Sequence, residues 1–202
     1  MRGDFIIIDQ LLQDKCILLS MDEYGISTNQ KPIIGTHCLG PCISFVLHSP
    51  ENKIAIVGHV SKGNLDNDLD LKIVADKVKN LIKNNNLTNK NFNLILVEGG
   101  QKNEKIEGYN INILMNLVQK KFDPIEVLCE NLKQIESINI INIRKANETT
   151  DDIQVLDFFG NLIETPNNES SKQFMFNANT GKFVSSNVFY FDEDKKNIRN
   201  KI

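Results

Sequence analysis

A thiol at Cys42 and an imidazole at His59 are the two side chains whose type and spacing offer chemistry in this sequence. The thiolate is the reactive form of cysteine, and a neighbouring imidazolium favours it. Such a pair suits attack on a carbonyl carbon, with the imidazole carrying the proton. Taken singly, each has a plain structural reading. A lone cysteine beside a strand fills a small gap in a core, and a strand histidine is most often a satisfied residue.

The segment between them changes that balance. Residues 43–48 and 53–60 have strand character, and Ser49-Pro50-Glu51-Asn52 between them is rich in turn formers. A two-residue loop at Pro50-Glu51 would pair Ile43 with Gly58, Phe45 with Ile56 and Leu47 with Ile54, all on one face. The opposite face then carries Cys42, Ser44 and Val46 against His59, Val57 and Ala55. This register predicts Cys42 directly across from His59, with Cβ atoms roughly 4.5–5.5 Å apart.

The elements that must position this pair follow from periodicity. Short strands are expected at 5–8 and 16–20, and a polar loop at 22–31. Gly40-Pro41 marks a change of chain direction, so Cys42 sits just after a turn. Leu71, Val74, Ala75, Val78, Leu81 and Ile82 recur at helical spacing, which predicts a helix over 69–83 capped by Asp66 or Asp68. Residues 92–97 read as a buried strand stopped by Gly99-Gly100, and a tight turn is the expectation for those glycines. Ile111, Leu114, Met115, Val118 and Phe122 predict a second helix. Strands are expected at 125–129, 138–143 and 153–158, a hairpin at 173–184 around Asn179-Thr180-Gly181, and a strand at 187–191. The charged tail from 192 onward is expected to fray, and His48 to face solvent near the first hairpin turn. The fold class is α+β: packed or strongly curved mixed sheets, β-sandwich-like, flanked by two or more helices.

Composition narrows the function classes. The 202 residues suit a single domain, with 41% hydrophobic and 24% charged residues and a formal charge of −3. No broad basic field exists, which argues against a nucleic-acid partner. No apolar stretch approaches the roughly 20 residues that cross a bilayer, so no membrane insertion is expected. The four cysteines are scattered, which favours free thiols and a reducing, cytoplasmic compartment.

The stretch Thr36-His37-Cys38-Leu39-Gly40-Pro41-Cys42, followed by Ser49-Pro50 and Gly58-His59, resembles the active-site region of the chemoreceptor glutamine deamidases, the CheD family. That family has a Thr, a Leu-Gly-Ser-Cys whose cysteine lies six residues after the Thr, an Asp-Pro turn and an Ala-His. The wider group is similar to the cytotoxic necrotizing factor catalytic domains and the protein N-terminal asparagine amidohydrolases. The resemblance is clearest over 33–118, leaving 1–30 as an N-terminal extension and 123–202 as a divergent C-terminal part. It implies Cys42 as nucleophile, His59 as general base and acid, and Thr36 as the third member, orienting the imidazole or binding the reacting group. It implies hydrolysis of a Gln or Asn side-chain carboxamide on a protein through a thioester, releasing ammonia, with no cofactor or metal. An amine in place of water would give transglutamination. A bacterial effector delivered into a host cytosol is one setting for such chemistry. The family's Gly-Ser-Cys is Gly-Pro-Cys here, so Pro41 has no N–H to offer an oxyanion, and the Cys42 N–H or another amide would have to serve.

Three other readings compete. His37, Cys38, Cys42 and His59 are possible zinc ligands, but a second cysteine pair and the two-residue spacing are missing. Cys38 and Cys42 could form a disulfide that masks Cys42. The fold could also serve as a protein-binding module without catalysis.

Overall fold

The computed structural model describes residues 5–7, 15–61, 68–100, 124–146, 148–151, 153–156, 171–184, 189–192 and 197–201. The strands are β1 (Phe5–Ile7), β2 (Cys16–Leu19), β3 (Tyr24–Ile26), β4 (Ile33–Leu39), β5 (Ile43–Ser49), β6 (Ile54–Val60), β7 (Lys90–Glu98), β8 (Ile138–Lys145), β9 (Gln154–Leu156), β10 (Ser171–Asn177), β11 (Lys182–Phe183), β12 (Phe189–Asp192) and β13 (Asn197–Lys201). The helices are α1 (Asp68–Asn84), α2 (Pro124–Lys133) and the single turn α3 (Glu148–Asp151).

Two mixed five-stranded sheets make an α+β architecture. One runs β11-β10-β4-β2 with β9 on β10, and the other runs β3-β6-β5-β7-β8; β1, β13 and β12 form a separate three-stranded sheet. The two larger sheets face each other across a core. Leu19, Ile34, Leu39, Phe174 and Phe176 of the first meet Val46, Ala55, Val57, Ile95 and Val97 of the second. The far side of the second sheet carries Phe45, Leu47, Ile56, Leu94 and Leu96, which α1 and α2 cover with Val74, Val78, Ile82, Ile125, Leu128 and Leu132. Each fully buried side chain of this size contributes about 1.5–3 kcal/mol. The strict alternation along β5 and β6 is what lets one sheet feed two cores.

Several sequence expectations change here. Residues 125–129, read as a strand, lie in α2. Pro124 suits the first helical position, and Ile125, Leu128, Cys129 and Leu132 form one buried helical stripe. The stretch 22–31, read as loop, contains β3, which pairs with β6. The tail contains β13, which pairs with both β1 and β12. The helix expected around 111–122 lies outside the described residues, as does Asp66. The α1 helix and the β10–β11 hairpin form as expected, and Gly181 adopts a left-handed φ of 71° in that hairpin's turn.

His48 is also corrected. It is buried rather than solvent-facing, its Nε2–H donates to Ala178 O at 2.9 Å, and its ring stands edge-on to Phe176. The β10–β11 turn lies over it, so closely that a Cβ on Gly181 would stand 2.9 Å from the imidazole.

Candidate functional site

The β5–β6 hairpin forms, but its register differs from the expected one. Ser49 pairs with Ile54, so the loop has four residues, 50–53, not two. Lys53 takes a left-handed φ of 53°, Asn52 Nδ2 donates to Ser49 Oγ, and Lys53 N–H returns to Pro50 O. The consequence is a shift of two rungs. Ser44, not Cys42, lies directly across from His59, and Ile43 lies across from Val60. A shift of two preserves the faces, because side chains alternate with period two. Cys42 therefore stays on the inter-sheet side with Val46 and Val57, within the same buried cluster. Its relation to His59 becomes a diagonal one, for which strand pairs span roughly 7–8 Å.

His59 is 1% exposed. Its Nδ1 lies 2.8 Å from Thr36 Oγ1, and Thr36 Oγ1 donates to Leu19 O at 2.8 Å. These two contacts fix the tautomer. A carbonyl only accepts, so the hydroxyl proton belongs to Leu19 O, and the hydroxyl oxygen must accept from His59 Nδ1–H. Nε2 is then the lone-pair nitrogen. It is buried and has no hydrogen-bond partner among the described residues. The same observation places the Cys42 thiol out of hydrogen-bond contact with it, against the expectation of direct contact. Thr36 reaches His59 because β4 pairs with β2 through Leu19↔Thr36 in one sheet while His59 projects from the other.

Burial pushes the His59 imidazole from 6.5 down to about 4; the charge of His37 adds to that and Asp22 opposes it. His59 is neutral near pH 7, so it is set to take a proton rather than to hold a thiolate as a preformed ion pair. The unfolded chain protonates this ring near 6.5 while the folded protein resists protonation until about 4. Stability is therefore expected to rise with pH across that window and level off above it, by about 3 kcal/mol from His59 alone. His48, also lowered by burial, acts in the same direction. Urea midpoints between pH 4 and 7 would check this, and a His59→Gln variant should flatten the slope.

The turn that carries Cys42 is held by close backbone packing. Gly99 N–H donates to Cys42 O at 3.0 Å, Gly100 N–H to Leu39 O at 2.9 Å, and Gly40 N–H to Cys38 O at 2.9 Å. A Cβ on Gly99 would stand 1.9 Å from Gly40 O and 2.6 Å from Cys42 O. Gly99-Gly100 is thus the seat of the turn that carries Cys42, more than a strand stop. Its N–H groups, like that of Gly40, donate to backbone carbonyls. Sequence reasoning noted the glycine pair and missed this contact, since nothing local links 99 to 42.

Two β-bulges flank the site. On β4, His37 and Cys38 together oppose the single residue Gln173, with Cys38 at φ 56°. Cys38 is exposed, and its thiol lies 3.0 Å from His37 Nδ1. None of the four cysteines is in a disulfide, and Cys42 is buried while Cys38 is not. Opposite His59, Asp22 and Glu23 form the second bulge. Among the described residues, no three His, Cys, Asp or Glu side chains gather as a metal-ligand set. Glu98 is exposed and paired with Lys145 at 3.0 Å.

Removing the Thr36 hydroxyl should free the tautomer. Thr36→Val is expected to destabilise the protein by about 1–3 kcal/mol, because Leu19 O and His59 Nδ1–H both lose a buried partner. Nitrogen chemical shifts of His59 would check it, by showing a mixture of tautomers in the variant and a single one in the parent.

No protein-family model and no curated protein matches the sequence. The chain is similar to the crystal structure of Bacillus licheniformis hypothetical protein YfiH, with a TM-score of 0.45 and 12% identity over 84% of this chain and 73% of that one. Among the described residues, no helix is long and apolar enough to cross a membrane.

Proposed function

We propose that this protein is a cysteine amidohydrolase that converts a Gln or Asn side-chain carboxamide on a protein to a carboxylate. The observation that carries the proposal is the unpartnered, lone-pair His59 Nε2, held in one tautomer by Thr36 and lying on the same sheet face as the Cys42 thiol. A buried base nitrogen with no partner costs stability, of order 1–3 kcal/mol. Such a cost is characteristic of atoms whose partner arrives during a reaction. For the proton to pass, the Cys42 thiol has to turn into hydrogen-bond reach of Nε2. The resemblance of Thr36, Cys42 and His59 to the CheD pattern supports the same assignment.

In this reading His59 Nε2 takes the Cys42 proton as the sulfur attacks the carboxamide carbon. The developing oxyanion needs donors that are already in place. The amides of Gly40, Gly99 and Gly100 donate to carbonyls of the turn, and Pro41 has no N–H to offer. His59 then gives its proton to the departing ammonia, and the thioester remains on Cys42. Water, deprotonated by the same nitrogen, hydrolyses it. Thr36 keeps Nδ1–H in place and stabilises the transient imidazolium.

The test is peptide mass spectrometry on candidate partner proteins incubated with the protein or with Cys42→Ala. A gain of about one mass unit at a single Gln or Asn with the parent protein only would establish the reaction and its target. Binding of the same partner by both forms, without any mass change, would instead favour a recognition module.

A further inference from the structure

Asp22 occupies a backbone position that ordinarily favours glycine. Its φ is 61°, in the left-handed region, where a side chain costs about 1 kcal/mol. It is the first residue of a bulge in which Asp22 and Glu23 together face His59. Asp22 N–H donates to His59 O at 2.9 Å, and His59 N–H donates to Glu23 O at 3.1 Å. Its carboxylate Oδ1 accepts from Ser61 N–H at 2.9 Å. One residue therefore grips the end of β6 on both sides of Val60. A glycine would satisfy the backbone geometry, but it would supply neither the acceptor for Ser61 nor a negative charge.

We propose that Asp22 is a positioning residue for His59: it fixes the His59 main chain through the bulge and brings a negative charge to the strand end that carries the imidazole. The inference deepens the amidohydrolase reading, and its rate effects rest on that reading; its effect on the His59 ring does not. Among the described residues, the charges that act on that ring are His37 from β4 and Asp22 from the bulge; the titratable Cys42 thiol lies on the same face, the Glu23 carboxylate accepts from Ser20 N–H, and Thr36 and Ser44 are neutral. His37 disfavours the imidazolium and Asp22 favours it. The carboxylate thus opposes, in small part, the burial that weakens Nε2 as a base. Thr36 selects the tautomer, and Asp22 opposes the burial and the His37 charge that lower the proton affinity.

The experiment is Asp22→Asn, which tolerates the left-handed φ and keeps an acceptor for Ser61 while removing the charge. Imidazole C–H signals of the three histidines, assigned with His37→Asn and His48→Asn variants, report the His59 titration directly. The expected result is a His59 midpoint at lower pH than in the parent. For turnover, the acid limb of kcat/KM should move to lower pH while the plateau falls about threefold to tenfold. A purely structural role would lower the rate at every pH and leave the limb where it was. An unchanged His59 midpoint in folded Asp22→Asn overturns the proposal, whether or not the protein proves to be an amidohydrolase. If Asp22→Asn does not fold, Asp22→Gly relieves the backbone and also removes the charge; the same lowered midpoint is expected, and an unchanged one is equally decisive against it. A lowered midpoint with no deamidation in the parent would uphold Asp22 and sink the reaction.

Discussion

Cys42→Ala is expected to reduce deamidation by about 10⁴-fold or more while leaving a folded protein. On the proposed mechanism the loss is large because sulfur and imidazole act as one unit: without sulfur, His59 Nε2 has no proton to take and no thioester forms. The folding cost is small, about 1 kcal/mol, because the change removes a single sulfur from a residue that is 5% exposed in the inter-sheet cluster. Cys42→Ser makes the comparison sharper. A hydroxyl fills nearly the same space, yet near pH 7 it is a much poorer nucleophile than a thiol, so turnover should remain close to the Ala value. Rates from ammonia release and urea midpoints for both variants check the pair of claims. Full activity in either variant would transfer the chemistry to another residue, and the exposed Cys38 beside His37 would be examined next.

Gly99→Val is expected to destabilise the protein by about 4 kcal/mol and to abolish turnover, though Gly99 takes no part in the reaction. The added Cβ would stand 1.9 Å from Gly40 O and 2.6 Å from both Leu39 O and Cys42 O, all backbone atoms that cannot swing away. Overpacking of this kind costs about 1–3 kcal/mol. The displaced turn would also lose the Gly99 and Gly100 hydrogen bonds, at about 1 kcal/mol each. Any surviving fold would carry Cys42 on a shifted turn, and a displacement near 1 Å costs about 10²-fold in rate. Gly25→Ala is the control. Its Cβ would meet the Leu19 Cδ2 methyl at 2.9 Å, the end of a flexible side chain. It should cost less than about 1.5 kcal/mol. Urea midpoints separating the two by less than 1 kcal/mol would show that the turn at 39–42 can move after all.

Much of this site is written in local pattern. The alternation along 43–48 and 54–60 assigned each residue to its face, and Ile43, Phe45 and Leu47 lie with Ile56 in the helix-covered core as the alternation required. The sequence left the rung undecided. A four-residue loop closed by Lys53 at positive φ and a two-residue loop at Pro50-Glu51 both keep every side chain on its own face, because they differ by two residues. Only the packed sheet chose between them, and that choice decides whether Cys42 lies directly across from His59 or diagonal to it. The α2 segment shows the same limit differently. A short apolar run fits either a strand or a helical stripe, and its burial against α1 and the sheet settled it.

What the sequence determined by itself is the face that each residue of the hairpin occupies, since that follows from a period of two. What only the tertiary structure decided is their working state. The neutral state of His59 comes from burial, its Nδ1–H tautomer from Leu19 and Thr36 of a neighbouring sheet, its main-chain placement from the bulge at Asp22, and the Cys42 turn from a Gly99 seat 57 residues further along the chain. Those contacts join residues that share no local period. They exist because two sheets close over a dry core, where one hydroxyl, one carboxylate and one missing side chain count for far more than they would in water.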